Sequence, residues 1–132
     1  MFQRDYILRM MEAVAQVAAR VMRLLAQKKK PEEAQQVVAE GYNALSLDRE
    51  MLLLLDGPSV RTHCGGDDEK LGLAVRLLLL DCEVQLAKLD KREAQRTLRA
   101  AKRALAEIAK QSPAPEELRA ELERMTGAVA TL

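Results

Sequence analysis

Leu71-Gly72-Leu73-Ala74-Val75-Arg76-Leu77-Leu78-Leu79-Leu80-Asp81-Cys82-Glu83-Val84-Gln85-Leu86-Ala87-Lys88-Leu89 is the stretch whose reading decides the fold. Wound at about 3.6 residues per turn, it carries two apolar stripes. One is Leu71, Val75, Leu78, Cys82, Leu86 and Leu89; the other is Leu73, Leu77, Leu80, Val84 and Ala87. A helix apolar on two sides needs neighbours on both. A helix from about Asp67–Glu69 to Leu89 is therefore expected at the centre of a helical domain.

The composition agrees. Hydrophobic residues make up 48% and charged residues 31% of 132 residues, which excludes a disordered chain. Phe2, Tyr6 and Tyr42 are the only aromatics, far fewer than small β-sheet proteins use. Two cysteines, Cys64 and Cys82, make no disulfide framework and fit a reducing, cytoplasmic setting. Arg4, Asp5, Arg9 and Glu12 interrupt any export signal, and the longest apolar runs are too short to span a bilayer.

Upstream of the central helix, a first helix is expected over about 4–27, with Ile7, Met11, Val14, Ala18, Val21 and Leu25 inward. Arg9, Glu12, Gln16, Arg20, Arg23 and Gln27 form its wet stripe. Lys28-Lys29-Lys30 suit its C-terminal end, and Pro31 with Glu32 and Glu33 opens a second helix. Ala34, Val37, Val38, Gly41 and Leu45 share one face of that helix. Ser46 is expected to cap a short third helix that stops at Asp56-Gly57-Pro58, leaving 57–67 as a loop.

Downstream, Asp90 caps a helix over about 91–110, with Ala94, Leu98, Ala101, Leu105 and Ile108 inward. Ser112-Pro113-Ala114-Pro115 breaks the chain before a C-terminal helix over about 115–126, and Gly127 to Leu132 is expected to fray. The expectation is one all-α domain over 1–132, about six helices arranged as antiparallel hairpins. Hairpin one covers about 4–46, the short helix and loop 47–67, hairpin two about 68–110.

An internal repeat supports the two hairpins. Glu33-Ala34-Gln35 recurs as Glu93-Ala94-Gln95 and Ala44-Leu45 as Ala104-Leu105, in one register. A helical hairpin used twice is the elementary unit of an α-solenoid. With a Glu-Ala step opening the second helix of each, the hairpins resemble tetratricopeptide repeats. They depart from that family in a period of about 60 residues and in lacking its aromatic and glycine pattern. The opening Met1-Phe2-Gln3-Arg4-Asp5-Tyr6-Ile7-Leu8-Arg9-Met10-Met11-Glu12 resembles a family of short bacterial helical proteins of unknown function that open with Met-Phe-x-Arg-Asp-Tyr. That resemblance implies no activity, ligand or catalytic residue.

Three features are candidate sites. His63-Cys64 precedes Asp67-Asp68-Glu69, but no Cys-x-x-Cys or His-x-x-x-His spacing supplies the three or four ligands that zinc needs. Adjacent His and Cys rarely point at one another, and no phosphate loop or nucleophile-elbow motif is present. No catalytic, cofactor-binding or metal residue is assigned, no cofactor or small-molecule ligand is expected, and a non-enzymatic protein is. Arg92, Arg96, Arg99 and Arg103 make a basic stripe within 91–111, where seven residues are positive and two negative. It is either a surface for nucleic acid or an acidic partner protein, or a solvated face partly paired with the acidic 116–124 segment. With a net charge of +1 and no accompanying aromatics, nucleic acid is the lesser reading.

Met51-Leu52-Leu53-Leu54-Leu55 goes all the way round a helix. Some of these side chains belong under the 57–67 loop, in a self-association interface, or against a partner. The expected function is a protein–protein interaction or scaffolding module, with a protein partner or a homo-oligomer and no membrane. A nucleic-acid-associated protein using the basic helix 91–110 is the alternative.

Overall fold

Helix boundaries in this chain fall where aspartate, proline or a left-handed residue can satisfy the exposed peptide groups. The computed structural model describes residues 2–132; Met1, the first residue of the quoted opening, lies outside them. Helix α1 (Phe2–Arg23) ends in one π-helical turn over Leu24–Lys28, closed by left-handed Lys29, whose N–H donates to the Leu24 carbonyl. Pro31 opens α2 (Pro31–Ala44) with Glu32 and Glu33 in its first turn. Four aspartates then cap four helices in succession. Asp48 accepts from Met51 N at the start of α3 (Arg49–Leu54), and Asp56 from Ser59 N at the start of α4 (Gly57–His63). Asp67 and Asp90 do the same for α5 (Asp68–Ala87) and α6 (Lys91–Ala109). Each such cap is worth about 1 kcal/mol. Helix α7 (Glu116–Ala130) follows Pro113 and Pro115.

The all-helical expectation holds: among the described residues there are seven helices and no strand. The details differ in several places. The 57–67 loop shrinks to 64–67, because Asp56-Gly57-Pro58, expected to end a helix, starts one: aspartate is a cap and proline fits the first turn. Six expected helices thereby become seven. Ser46 is not the α3 cap; it takes a left-handed φ of 54° and Asp48 does the capping. Leu89 leaves the central stripe, because α5 ends at Ala87 and Leu89 turns out at φ 59° into solvent. The C-terminal segment does not fray at Gly127: α7 continues to Ala130 and buries Val129.

Helix α5 is the centre. Leu71, Ala74, Val75, Leu77, Leu78, Leu79, Cys82 and Val84 are buried around its circumference, and it packs against α1, α2, α6 and α7. Its interface with α6 is the most extensive in the molecule. The inner face expected for α6 is the observed one: Ala94, Leu98, Ala101, Leu105 and Ile108 are all buried. On α1 the expected stripe is corrected. The buried line is Ile7, Met10, Val14, Val17 and Val21, whereas Met11 is exposed. The sequence pattern mixes two neighbouring apolar stripes, and only one of them meets α5.

Gly41 lets α2 close on this core. A Cβ there would lie 2.7 Å from Leu77 Cδ2 and 3.3 Å from Val17 Cγ2, so α1, α2 and α5 meet at a point with no room for a side chain. Gly41→Leu is predicted to destabilise by about 1–3 kcal/mol through overpacking, read as a lower denaturation midpoint at an unchanged slope. Wild-type stability in that variant would show that the three helices do not meet there.

Candidate functional site

The expected leucine surface is mostly interior. Leu52 and Leu53 are buried and Leu55 is half-buried, while Met51 and Leu54 stay exposed, Leu54 at 72%. The burial does not come from an overlying loop. Helix α3 lies against α6, where Arg103 Nη2 donates to the Leu53 carbonyl at 2.9 Å. What remains of Met51, Leu52, Leu53, Leu54 and Leu55 as a surface is Met51 with Leu54, three residues apart on one face.

The basic stripe is divided in the same contact. Arg96 reaches Glu93 at 2.6 Å and Glu50 at 3.4 Å, and Arg103 is spent on the Leu53 carbonyl. Arg92 and Arg99 remain exposed. The expected pairing with the 116–124 segment is replaced by pairing with α3 and within α6, because alternate arginines of the stripe point under α3 rather than toward α7.

His63 and Cys64 do not form a pair. His63 Nε2 accepts the Asp48 N–H at 3.2 Å, whereas Cys64 is fully buried. Burial pushes the Cys64 thiol up to about 11, and Cys82 likewise, so neither is an activated thiolate near neutral pH. Among the described residues no three His, Cys, Asp or Glu side chains cluster as metal ligands.

Sequence reasoning missed a buried ionic centre. Asp81, 2% exposed, sits in the most apolar helix. It accepts from Tyr42 Oη at 2.7 Å, Arg49 Nε at 2.6 Å and Gln85 Nε2 at 3.0 Å. Arg49 continues to Glu93 at 3.0 Å, so α2, α3, α5 and α6 converge on one carboxylate. Burial, the Asp81 charge and its hydrogen bond hold the Tyr42 phenol well above its ordinary range. Burial opposes the Arg49 charge, but the hydrogen bond and charge of Asp81 outweigh it and raise its pKa. Burial also opposes ionisation of Glu93, and the bonds from Arg96 and Arg49 overcome it and hold its carboxyl below the usual range. The only legible signal was an acid in the middle of an apolar run. The hollows flanking α1 and α7 do not reach this centre, whose geometry is that of a structural clamp.

A second missed feature is open to solvent. A groove runs along α5 between α1 and α7, formed by adjoining hollows of about 340 and 320 Å³. Met11, Ala18 and Met22 of α1 form one wall. Leu118, Glu117, Glu121 and Arg124 of α7 form the other. Leu73, Leu79 and Leu80 make an apolar floor, with exposed Arg76 between them. The residues that mark it, Met11 and Ala18, are those the helical pattern assigned to the core.

No protein-family model matches the chain, and neither a curated protein nor a solved structure does. No helix among the described residues is long and apolar enough to cross a membrane.

Two predictions concern the clamp. Asp81→Asn leaves Arg49 without its main counter-charge and is expected to cost about 3 kcal/mol, the low end for a broken buried pair because Arg49 keeps some solvent. Tyr42→Phe is expected to cost less, about 1.5 kcal/mol for one bond to a charged acceptor. Equilibrium denaturation measures both, and a negligible loss in Asp81→Asn would show that the cluster holds nothing together. The pH dependence follows from Glu93, whose carboxyl is lower folded than its ordinary 4.5. Its contribution is complete above that value and disappears as pH falls through the folded pKa, since the unfolded chain takes up its proton first. Glu93→Gln should therefore flatten the acid limb of the stability curve below pH 4.5. An unchanged limb would mean that Glu93 is not held ionised by its arginines.

Proposed function

We propose that this protein is a non-catalytic protein–protein interaction module, and that the groove between α1 and α7 is its docking surface. The observation that carries this reading is the second apolar stripe of α1. Met11 and Met22 stand about half-exposed beside an apolar floor, a concave surface of the kind that receives the apolar face of a helix. Met11 and Met22 suit such a role, since flexible thioethers repack around different partners. Met51 and Leu54 on α3 are a smaller, convex candidate surface. In this reading α1–α2 and α5–α6 are two antiparallel, tetratricopeptide-like hairpins, and the repeated Glu-Ala-Gln steps at 33–35 and 93–95 support it. The resemblance of the opening segment to short bacterial helical proteins, together with two unpaired cysteines, favours a bacterial, cytoplasmic protein. The nucleic-acid alternative is left with Arg92 and Arg99 beside Lys91 and Lys102, a reduced cationic surface.

The test compares capture on immobilised wild-type protein with capture on Met11→Glu/Met22→Glu, using extract of the native host and purified copies of the chain itself. Both substitutions are at exposed sites and should leave the thermal midpoint unchanged. A species retained by wild type and lost by the double variant is the expected result. Identical retention by both proteins would remove the groove as a docking surface.

A further inference from the structure

Helix α6 sorts its charges by face. Both of its acids are paired on the side where α3 and α4 pack: Glu93 with Arg49 and Arg96, Glu107 with Arg61 and Lys110. At about 100° per residue, Lys91, Arg92, Arg99 and Lys102 fall within one arc of about 100° on another side, and no acid of α6 shares it. All four are exposed, and among the described residues none makes an ion pair or a side-chain hydrogen bond. Arg99 and Lys102, three residues apart, are like charges on one ridge, an arrangement mildly unfavourable to the helix alone. Lys91, Arg99 and Lys102 also rim a hollow of about 260 Å³ between α6 and α7, where buried Leu98 and Val129 line the floor. Among the described residues no carboxylate lines it. Glu123 of α7 and Lys102 line the next hollow together, yet no ion pair joins them.

From this charge pattern we infer that the hollow between α6 and α7 is a second docking site, and that its occupant is an acidic segment of a partner protein. One apolar side chain of that segment sits over Leu98 and Val129, and carboxylates on either side of it meet Lys91, Arg99 and Lys102. The site shares no lining residue with the groove between α1 and α7, so it stands or falls separately from that groove.

Size and charge together select this occupant. Lys91 and Lys102 stand about 17 Å apart along the helix, with Arg99 between them, a reach that suits a chain segment rather than one small anion. The hollow is smaller than the roughly 300–1,000 Å³ of small-molecule pockets, but it has room for a single anchoring side chain. An acidic segment supplies the charge that this face lacks and relieves the repulsion between Arg99 and Lys102. A nucleic acid would satisfy the same cations but would leave the apolar floor unused. It would also find no aromatic ring here on which to stack a base, since Phe2, Tyr6 and Tyr42 lie on α1 and α2.

The experiment is fluorescence anisotropy of the whole chain with a labelled short peptide, one leucine flanked on both sides by aspartates and glutamates. The comparison probes are the same peptide with serine for leucine, its charge-reversed lysine counterpart, and single-stranded oligothymidylate. The leucine peptide is expected to bind wild type and the lysine peptide is not. Replacing the leucine by serine should weaken binding about tenfold, the loss of one buried apolar anchor. Lys91→Glu/Lys102→Glu should weaken it about tenfold or more with the thermal midpoint retained. Lys91→Ala/Lys102→Ala, which removes charge without reversing it, serves if the midpoint falls. Met11→Glu/Met22→Glu should bind the peptide as wild type does; loss in that variant would put the peptide in the other groove and overturn this site. No binding of the leucine peptide overturns it as well, and so does equal binding of the serine peptide. Tighter binding of oligothymidylate, lost in the lysine variants, would replace the acidic segment with a nucleic acid.

Discussion

A carboxylate in the middle of the most apolar helix is the constraint on which the rest of the structure depends. Asp81 is removed from water on every side, and an isolated charge there would cost several kcal/mol. It is tolerated because Tyr42, Arg49 and Gln85 all donate to it. That requirement sets the end of α2, the start of α3 and the start of α6 at one level along α5. Helix α3 has six residues and cannot persist alone, so Arg49, bridging Asp81 and Glu93, is what fixes its position. Leu52 and Leu53 turn inward as a result, and Glu50 reaches Arg96.

The other short helix is strapped to the far end of α6 by the same kind of device. Arg61 of α4 reaches Asp68 at 2.5 Å, Glu107 Oε1 at 3.3 Å and the Glu107 carbonyl at 2.9 Å. A Cβ at Gly57 would come within 2.8 Å of Glu107 Oε2, so a larger residue there would have to displace that carboxylate. The Lys110 hydrogen bond, with help from Arg61, holds the Glu107 carboxyl below its ordinary range. With α3 and α4 both committed to α6, the groove of α5 between α1 and α7 is left without a covering helix.

Much of the fold was legible because helical burial follows a simple period. The doubly apolar 71–87 stretch identifies the central helix, and the inner faces of α2 and α6 were read residue by residue. The period fails where two readings share a residue. Met11 and Ala18 fit a core stripe as well as an exposed seam, and only the packing of α1 against α5 separates them. Asp56-Gly57-Pro58 can end one helix or begin another, and the Ser59 N–H, bonded to the Asp56 carboxylate, decides for the second. Asp81 was visible as an oddity, but its partners lie 4 to 39 residues away in sequence, and no local pattern links them. The partners of the basic stripe were illegible for a related reason. Charge spacing shows that Arg92, Arg96, Arg99 and Arg103 share a face, not that α3 covers part of it.

Three methionines provide the most direct measurement. Met11, Met22 and Met51 are exposed to 47%, 43% and 42% in the single chain, nearly equal before any docking. With methyl-labelled methionine and a soluble paramagnetic agent, relaxation of each methyl reports its contact with solvent before and after addition of the species that the immobilised protein retains. Docking in the groove between α1 and α7 predicts that Met11 and Met22 become protected together while Met51 relaxes as before. Protection of Met51 alone, or unchanged relaxation of all three on addition of that species, would contradict it.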